Sequence, residues 1–112
     1  MATYRLYATA IKGQGDMWDY TVKRHGEKQA ESYTRGLVDY LEKIANDRKI
    51  WRQLPASLVA PNDIDYEIYC GKYRHYFIYF KVLENGDIGV MSILHEMRDM
   101  TYHLAHDLDK LV

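Results

Sequence analysis

Asn85-Gly86 lies between two runs of β-branched and aromatic residues, and it constrains the chain more than any other dipeptide. The flanking ribbon runs from Lys72 to Arg98. An Asn-Gly pair in that setting marks a tight hairpin, because both central residues of a type I′ turn need positive φ. A two-residue loop puts Glu84 opposite Asp87, Tyr76 opposite His95 and Phe77 opposite Leu94. One face then holds Tyr76, Ile78, Phe80 and Val82 beside Gly89, Met91, Ile93 and His95. The other holds His75, Phe77, Tyr79, Lys81 and Leu83 beside Ile88, Val90, Ser92, Leu94 and Glu96. Neither face is polar. A layer of helices can cover one of them, and the second wants a lid of its own: a terminal helix, a second copy of the chain, or a partner segment.

The rest of the chain supplies the cover. Alternation over Thr3–Ala10 reads as a strand, ended by the glycines at 13 and 15. Asp16 suits an N-cap for a helix to about His25, with Trp18, Thr21 or Val22, and His25 as its buried stripe. Gly26 suits the C′ position that follows. Glu27 to Asn46 is the clearest helix, with Ala30, Tyr33, Leu37, Leu41 (or Tyr40) and Ile44 on one side. The two helices form an antiparallel hairpin. Asp47–Asp63 reads as a long loop anchored by Trp51 and Leu54. Ile64–Cys70 alternates as a second strand, stopped by Gly71, and the ribbon follows. Met100 onward reads as a short terminal helix with Leu104, Leu108 and Leu111 as its stripe. The expected class is α+β: an N-terminal strand, a helical hairpin, a three-stranded antiparallel meander and a C-terminal helix.

Totals remove several classes of function. The 112 residues suit one domain, with a core large enough to stand without staples. The single cysteine, Cys70, allows no internal disulfide and points to a reducing compartment. No stretch reads as a signal peptide or a bilayer span, so the expected location is the cytoplasm, with no membrane partner. A formal charge of −1 lacks the basic excess of a nucleic-acid-coating protein. Eleven tyrosines suit the half-buried faces of a small sheet, and also interfaces.

One group of residues carries possible chemistry. The register gathers Lys72, Arg74, His75, His95 and Arg98 at the end of the ribbon away from the turn, with Tyr102 and His103 just beyond. Cations and imidazoles together can bind phosphate or move protons. They can equally be a solvated strand end paired with Glu67, Glu96 and Asp99. His103 and His106 share one helix face, but two exposed histidines do not make a metal site. Cys70 suits buried filler, and Gly13-Gln-Gly15 is too short to cradle a phosphate. No cofactor or metal is expected.

Trp18-Asp19-Tyr20-Thr21, Gly26, Gln29-Ala30, Tyr33, Leu37 and Ile44-Ala45 together resemble the helical joint of the ParE branch of the ParE/RelE toxins. Arg74-His75 to Tyr79, then Ile93-Leu94-His95-Glu96, Met97-Arg98-Asp99 and His103-Leu104, resemble the strands and tail that follow there. The resemblance spans roughly residues 4 to 104 in order. It departs at Gly13 and Gly15, at Pro61-Asn-Asp, and in the near-neutral charge.

The resemblance implies a type II toxin–antitoxin toxin that inhibits DNA gyrase by binding it and is blocked by a cognate antitoxin folding onto it. A homodimer or a larger toxin–antitoxin assembly fits the same picture. Phe77, Tyr79, Lys81, Val90, Leu94, His95, Arg98 and His103 are then the partner-binding residues, and no catalytic residue is needed. The RelE branch implies instead a ribosome-dependent mRNA endonuclease. Lys72, Arg74, His95, Arg98 and Tyr102 would then be its site, with His95 as base and Arg98 as phosphate clamp. A non-toxic interaction module on the same fold is a third reading.

Overall fold

A computed structural model describes residues 1–54 and 67–97. Its elements are β1 (Tyr4–Leu6), α1 (Ala8–His25), α2 (Glu27–Asn46), a 3₁₀ turn (Arg48–Ile50), β2 (Arg52–Gln53), β3 (Tyr69–Tyr73), β4 (Tyr76–Val82) and β5 (Ile88–His95). The described strands form one five-stranded sheet in the order β1-β5-β4-β3-β2. β3, β4 and β5 are the expected antiparallel meander, while β1 runs parallel to β5 and makes the sheet mixed. The α+β class stands. Ile64 and Tyr66 of the expected second strand lie outside the described residues, as does the expected terminal helix. Among the described residues, no helix is long and apolar enough to cross a membrane.

The hairpin is real, but its loop is one residue longer than expected. Leu83 N–H donates to Asp87 O (2.8 Å) and Gly86 N–H to Leu83 O (3.0 Å). Glu84, Asn85 and Gly86 form the loop, and only Gly86 has positive φ, at 91°. This is a type I turn closed by a left-handed glycine, the three-residue alternative to type I′. The Asn85 side chain instead accepts from Asp87 N–H.

The longer loop puts Phe80 opposite Val90, one residue off the expected pairing. A bulge between Tyr79 and Phe80 then restores it, so Tyr79 meets Ser92 and Tyr76 meets His95 as expected. Met91 is the extra residue, and the Thr9 hydroxyl donates to its carbonyl. Because one inserted residue reverses strand alternation, Ile88 and Val90 join Ile93 on the helix side, whereas Met91 faces away. The expected placement of Val90 on the far face is corrected by this bulge.

α1 begins at Ala8, well before the expected Asp16. Tyr7 N–H still bonds Val90 O (2.9 Å), and Tyr7 O accepts from Ile11 N–H, so the chain passes from ladder to helix at one residue. Gly13 does not break the helix: a Cβ there would strike the Ile93 carbonyl, so glycine lets α1 lie directly on β5. The earlier start changes the buried stripe to Ala10, Met17 and Thr21. Trp18 is half-buried and His25 exposed. Thr21 hides its hydroxyl on Met17 O (2.8 Å).

α2 has the expected bounds, and Ala30, Leu37, Leu41, Ile44 and Ala45 are buried. Leu37, Leu41 and Ile44 each remove a full side chain from water, worth about 1.5–3 kcal/mol apiece. They meet Tyr76, Ile78, Phe80, Ile88, Val90 and Ile93 in the main core. Trp51 anchors the following segment as expected, donating Nε1–H to Ile44 O (2.5 Å), and Leu54 N–H bonds Ile68 O (2.9 Å). β3 runs through Gly71 rather than stopping there, because the missing Cβ leaves space for Ile44 and Tyr40.

The two glycines of α1 separate cleanly in a stability measurement. Gly13→Ala places a methyl against backbone and is expected to lower the unfolding free energy measured in urea by about 1–3 kcal/mol. Gly15 has open space around it, so Gly15→Ala is expected to raise stability by about 0.5–1 kcal/mol. Equal effects from the two would contradict the close α1–β5 approach.

Candidate functional site

The turn Arg74-His75 between β3 and β4 and the end of β5 meet the C-terminal half of α1 at the open end of the sheet. Arg74 makes that turn with φ of 52°, a strained value for a residue with a Cβ. Its guanidinium lies over the rings of Tyr33 (5.2 Å) and Tyr73 (5.7 Å). Because the turn falls at Arg74-His75, Lys72 belongs to β3 and stands opposite Phe77.

The sheet sorts the expected cluster onto two sides. On the side away from the helices, Glu96 gathers Lys72 (3.7 Å) and His75 (2.8 Å to Nδ1), and Lys72 Nζ also lies 5.3 Å from the Phe77 ring. His75 and Lys72 hold the Glu96 carboxyl below its ordinary range, the His75 hydrogen bond being the larger cause. His75 donates through Nδ1, which leaves Nε2 of a well-exposed ring without a partner among the described residues. Sequence reasoning treated Glu96 as an incidental counter-ion, whereas it is the centre of this group.

His95 faces the helices. Its ring packs against Tyr20 (5.7 Å) and edge-on to Tyr76 (5.1 Å), and it lies 6.4 Å from the ring of His75. Met97 N–H donates to His95 Nδ1 (3.1 Å), which fixes the neutral ring as the Nε2–H tautomer. A cleft of about 410 Å³ opens here, lined by Tyr20, Thr21, Arg24, His25, Tyr33, His75, Tyr76 and His95. Tyr20 and Arg24 were missed in the sequence. The available signal was their i,i+4 spacing, which puts the Arg24 guanidinium 4.7 Å from the Tyr20 ring.

Of the expected partner-binding residues, Phe77, Lys81 and Leu94 are half-buried on the far face, with Lys81 Nζ over the Tyr7 ring (5.5 Å). Tyr79 is also on that side but fully buried with Ile68, Cys70 and Met91. Burial raises the Cys70 thiol to about 11, which suits filler and not a nucleophile. Val90 is fully buried on the helix side. Arg98, Tyr102, His103 and His106 lie outside the described residues. Among the described residues, no group of three or more His, Cys, Asp or Glu is placed to hold a metal ion.

A family model for the ParE toxin of type II toxin–antitoxin systems matches residues 4–100. The chain belongs to the ParE toxin family. No curated protein sequence matches it. The ParE match takes in β1, both helices, the whole meander and both sides of the open end.

The Glu96 group in this ParE chain gives a direct pH test. The lowered carboxyl means that its contribution to stability is present above the ordinary glutamate range. It is lost as pH falls through the lowered value. An NMR titration of the Glu96 side chain is expected to show a midpoint below that of a free glutamate. In His75→Ala the midpoint should move up toward the free value, and an unmoved midpoint would refute the pairing.

Proposed function

We propose that this chain is a protein-binding toxin that inhibits DNA gyrase in the cytoplasm, arrests growth when free, and is silenced by a cognate antitoxin. The observation that carries this reading is the ParE family match across residues 4–100. The far face supports a docking role. Phe77 and Leu94 offer half-buried apolar surface there, flanked by Lys81 at one end and by Lys72, Glu96 and His75 at the other. An apolar centre with a charged rim is the usual make-up of a recognition surface. Tyr79 and Val90, being fully buried, act beneath it as support. The engaged Nδ1 of His95 also favours binding over catalysis, since a base needs a free ring nitrogen and His95 offers Nε2 as a donor.

One observation favours the second reading, RNA cleavage. The Glu96–His75 pair orients an imidazole whose Nε2 is free, the arrangement of a carboxylate-supported general base. In that reading His75, not His95, takes the proton from the ribose 2′-hydroxyl.

A supercoiling assay with gyrase from the chain's own host separates the two. Loss of supercoiling with accumulation of cleaved DNA is the expected result, and Phe77→Ala with Leu94→Ala should weaken it by roughly tenfold or more. Unchanged supercoiling together with fragmented message in a translation reaction, abolished by His75→Ala, would replace gyrase binding with RNA cleavage.

A further inference from the structure

The cleft on the helix side of the open end shares only His75 with the far face assigned to partner docking. It is walled by an arc of rings with the Arg24 guanidinium at one end, and Arg74 lies over Tyr33 beside the other end without lining the cleft. The Arg24 guanidinium lies 4.7 Å from Tyr20, Tyr20 lies 5.7 Å from His95, and His95 lies 5.1 Å from Tyr76. Tyr76 lies 6.1 Å from Tyr33, and the Arg74 guanidinium lies 5.2 Å from Tyr33. Among the described residues, neither Arg24 nor Arg74 has a carboxylate in salt-bridge range. A guanidinium held over a ring rather than by a carboxylate keeps donors free for a planar or tetrahedral anion. Among the described residues no carboxylate lines the cleft, and nearby Glu96 is already held by Lys72 and His75. Arg74 holds its cation over Tyr33, beside the cleft, at the cost of a strained backbone.

We propose that this cleft binds a single nucleotide unit, its base against the tyrosine and histidine rings and its phosphate on the Arg24 guanidinium. Aromatic rings interleaved with arginine are the combination that holds unpaired nucleotides without reading their sequence. A volume of about 410 Å³ lies within the range of small-ligand pockets. The unit is either a free mononucleotide or one residue of a single strand, since both present the same base and phosphate.

Aromatic ¹H–¹³C spectra of the full chain, titrated with AMP, adenosine, inorganic phosphate, a ten-residue oligothymidylate and poly-glutamate, test this. AMP is expected to shift Tyr20, Tyr33 and His95 in one saturable process. It should bind roughly tenfold or more tightly than adenosine or phosphate alone. Arg24→Gln should remove that advantage and leave adenosine unaffected, and Tyr20→Ala should weaken AMP and adenosine alike. Both positions are exposed, so the unliganded spectra should stay folded. Tighter binding of the oligonucleotide at the same resonances identifies the strand as the source, and AMP alone identifies the free nucleotide. Absence of saturable shifts, equal binding of AMP and phosphate, or equal response to poly-glutamate would overturn the proposal. The assay contains no gyrase, so its failure leaves the docking role untouched.

Discussion

β5 must pair with β1 on one side and β4 on the other, in opposite senses, while apolar residues cover both of its faces. The extra residue at Met91 makes this possible. Without it, the three-residue loop at Glu84–Gly86 would turn Ile93 and His95 away from the helices. With it, Ile88, Val90 and Ile93 all reach the main core. A bulge frees backbone groups from the ladder, and the Met91 carbonyl is taken up by Thr9. Thr9 can do this only because α1 has already started, and α1 starts there because β1 ends opposite the bulge, at Leu6 and Val90. The bulge, the end of β1 and the start of α1 are therefore one feature.

The tyrosines then lock α2 against the meander. Tyr73 donates its hydroxyl to Tyr33 O (2.7 Å) and packs edge-on against the Tyr33 ring, and Tyr40 closes on its other side. Gly36 leaves the space that the Tyr73 hydroxyl occupies. The Tyr73 ring buries apolar area while its polar tip finds a backbone acceptor, which a leucine could not do. Tyr79 is the counter-example. It is fully buried on the far face with no hydrogen-bond partner for its hydroxyl among the described residues, and burial drives that phenol well above its ordinary range.

Local chemistry made the hairpin, α2, the Gly26 break and the Trp51 anchor legible in the sequence. What it hid was decided by contacts between distant residues. Ala8-Thr9-Ala10 fits strand alternation and helix propensity alike, and the choice is made by Thr9 reaching Met91 and Gly13 reaching Ile93. Gly71 reads as a stop until Ile44 and Tyr40 are seen to need its missing side chain. No propensity places an arginine at positive φ, so the turn at Arg74 left no signal and Lys72 was assigned to the wrong strand. At the site, correct register near the open end gave the right neighbours, His75 with Glu96 and Tyr76 with His95. It could not supply Tyr20 and Arg24, which arrive from α1.

Net charge close to zero argues little about this end of the molecule, because the charges are not spread evenly. Glu96 serves Lys72 and His75 on the far side, and among the described residues no carboxylate lines the cleft side, where Arg24 and His25 lie. Arg74 illustrates the energetics. A left-handed non-glycine residue costs about 1–2 kcal/mol, and a partly exposed cation–π contact returns about 0.5–1 kcal/mol. Two rings under one guanidinium therefore roughly offset the strain of the turn. A glycine at this position would make the same turn without strain and without a cation. The structure thus holds a cation in place at no net gain to folding, and the direction of inference from such an outlier is toward function.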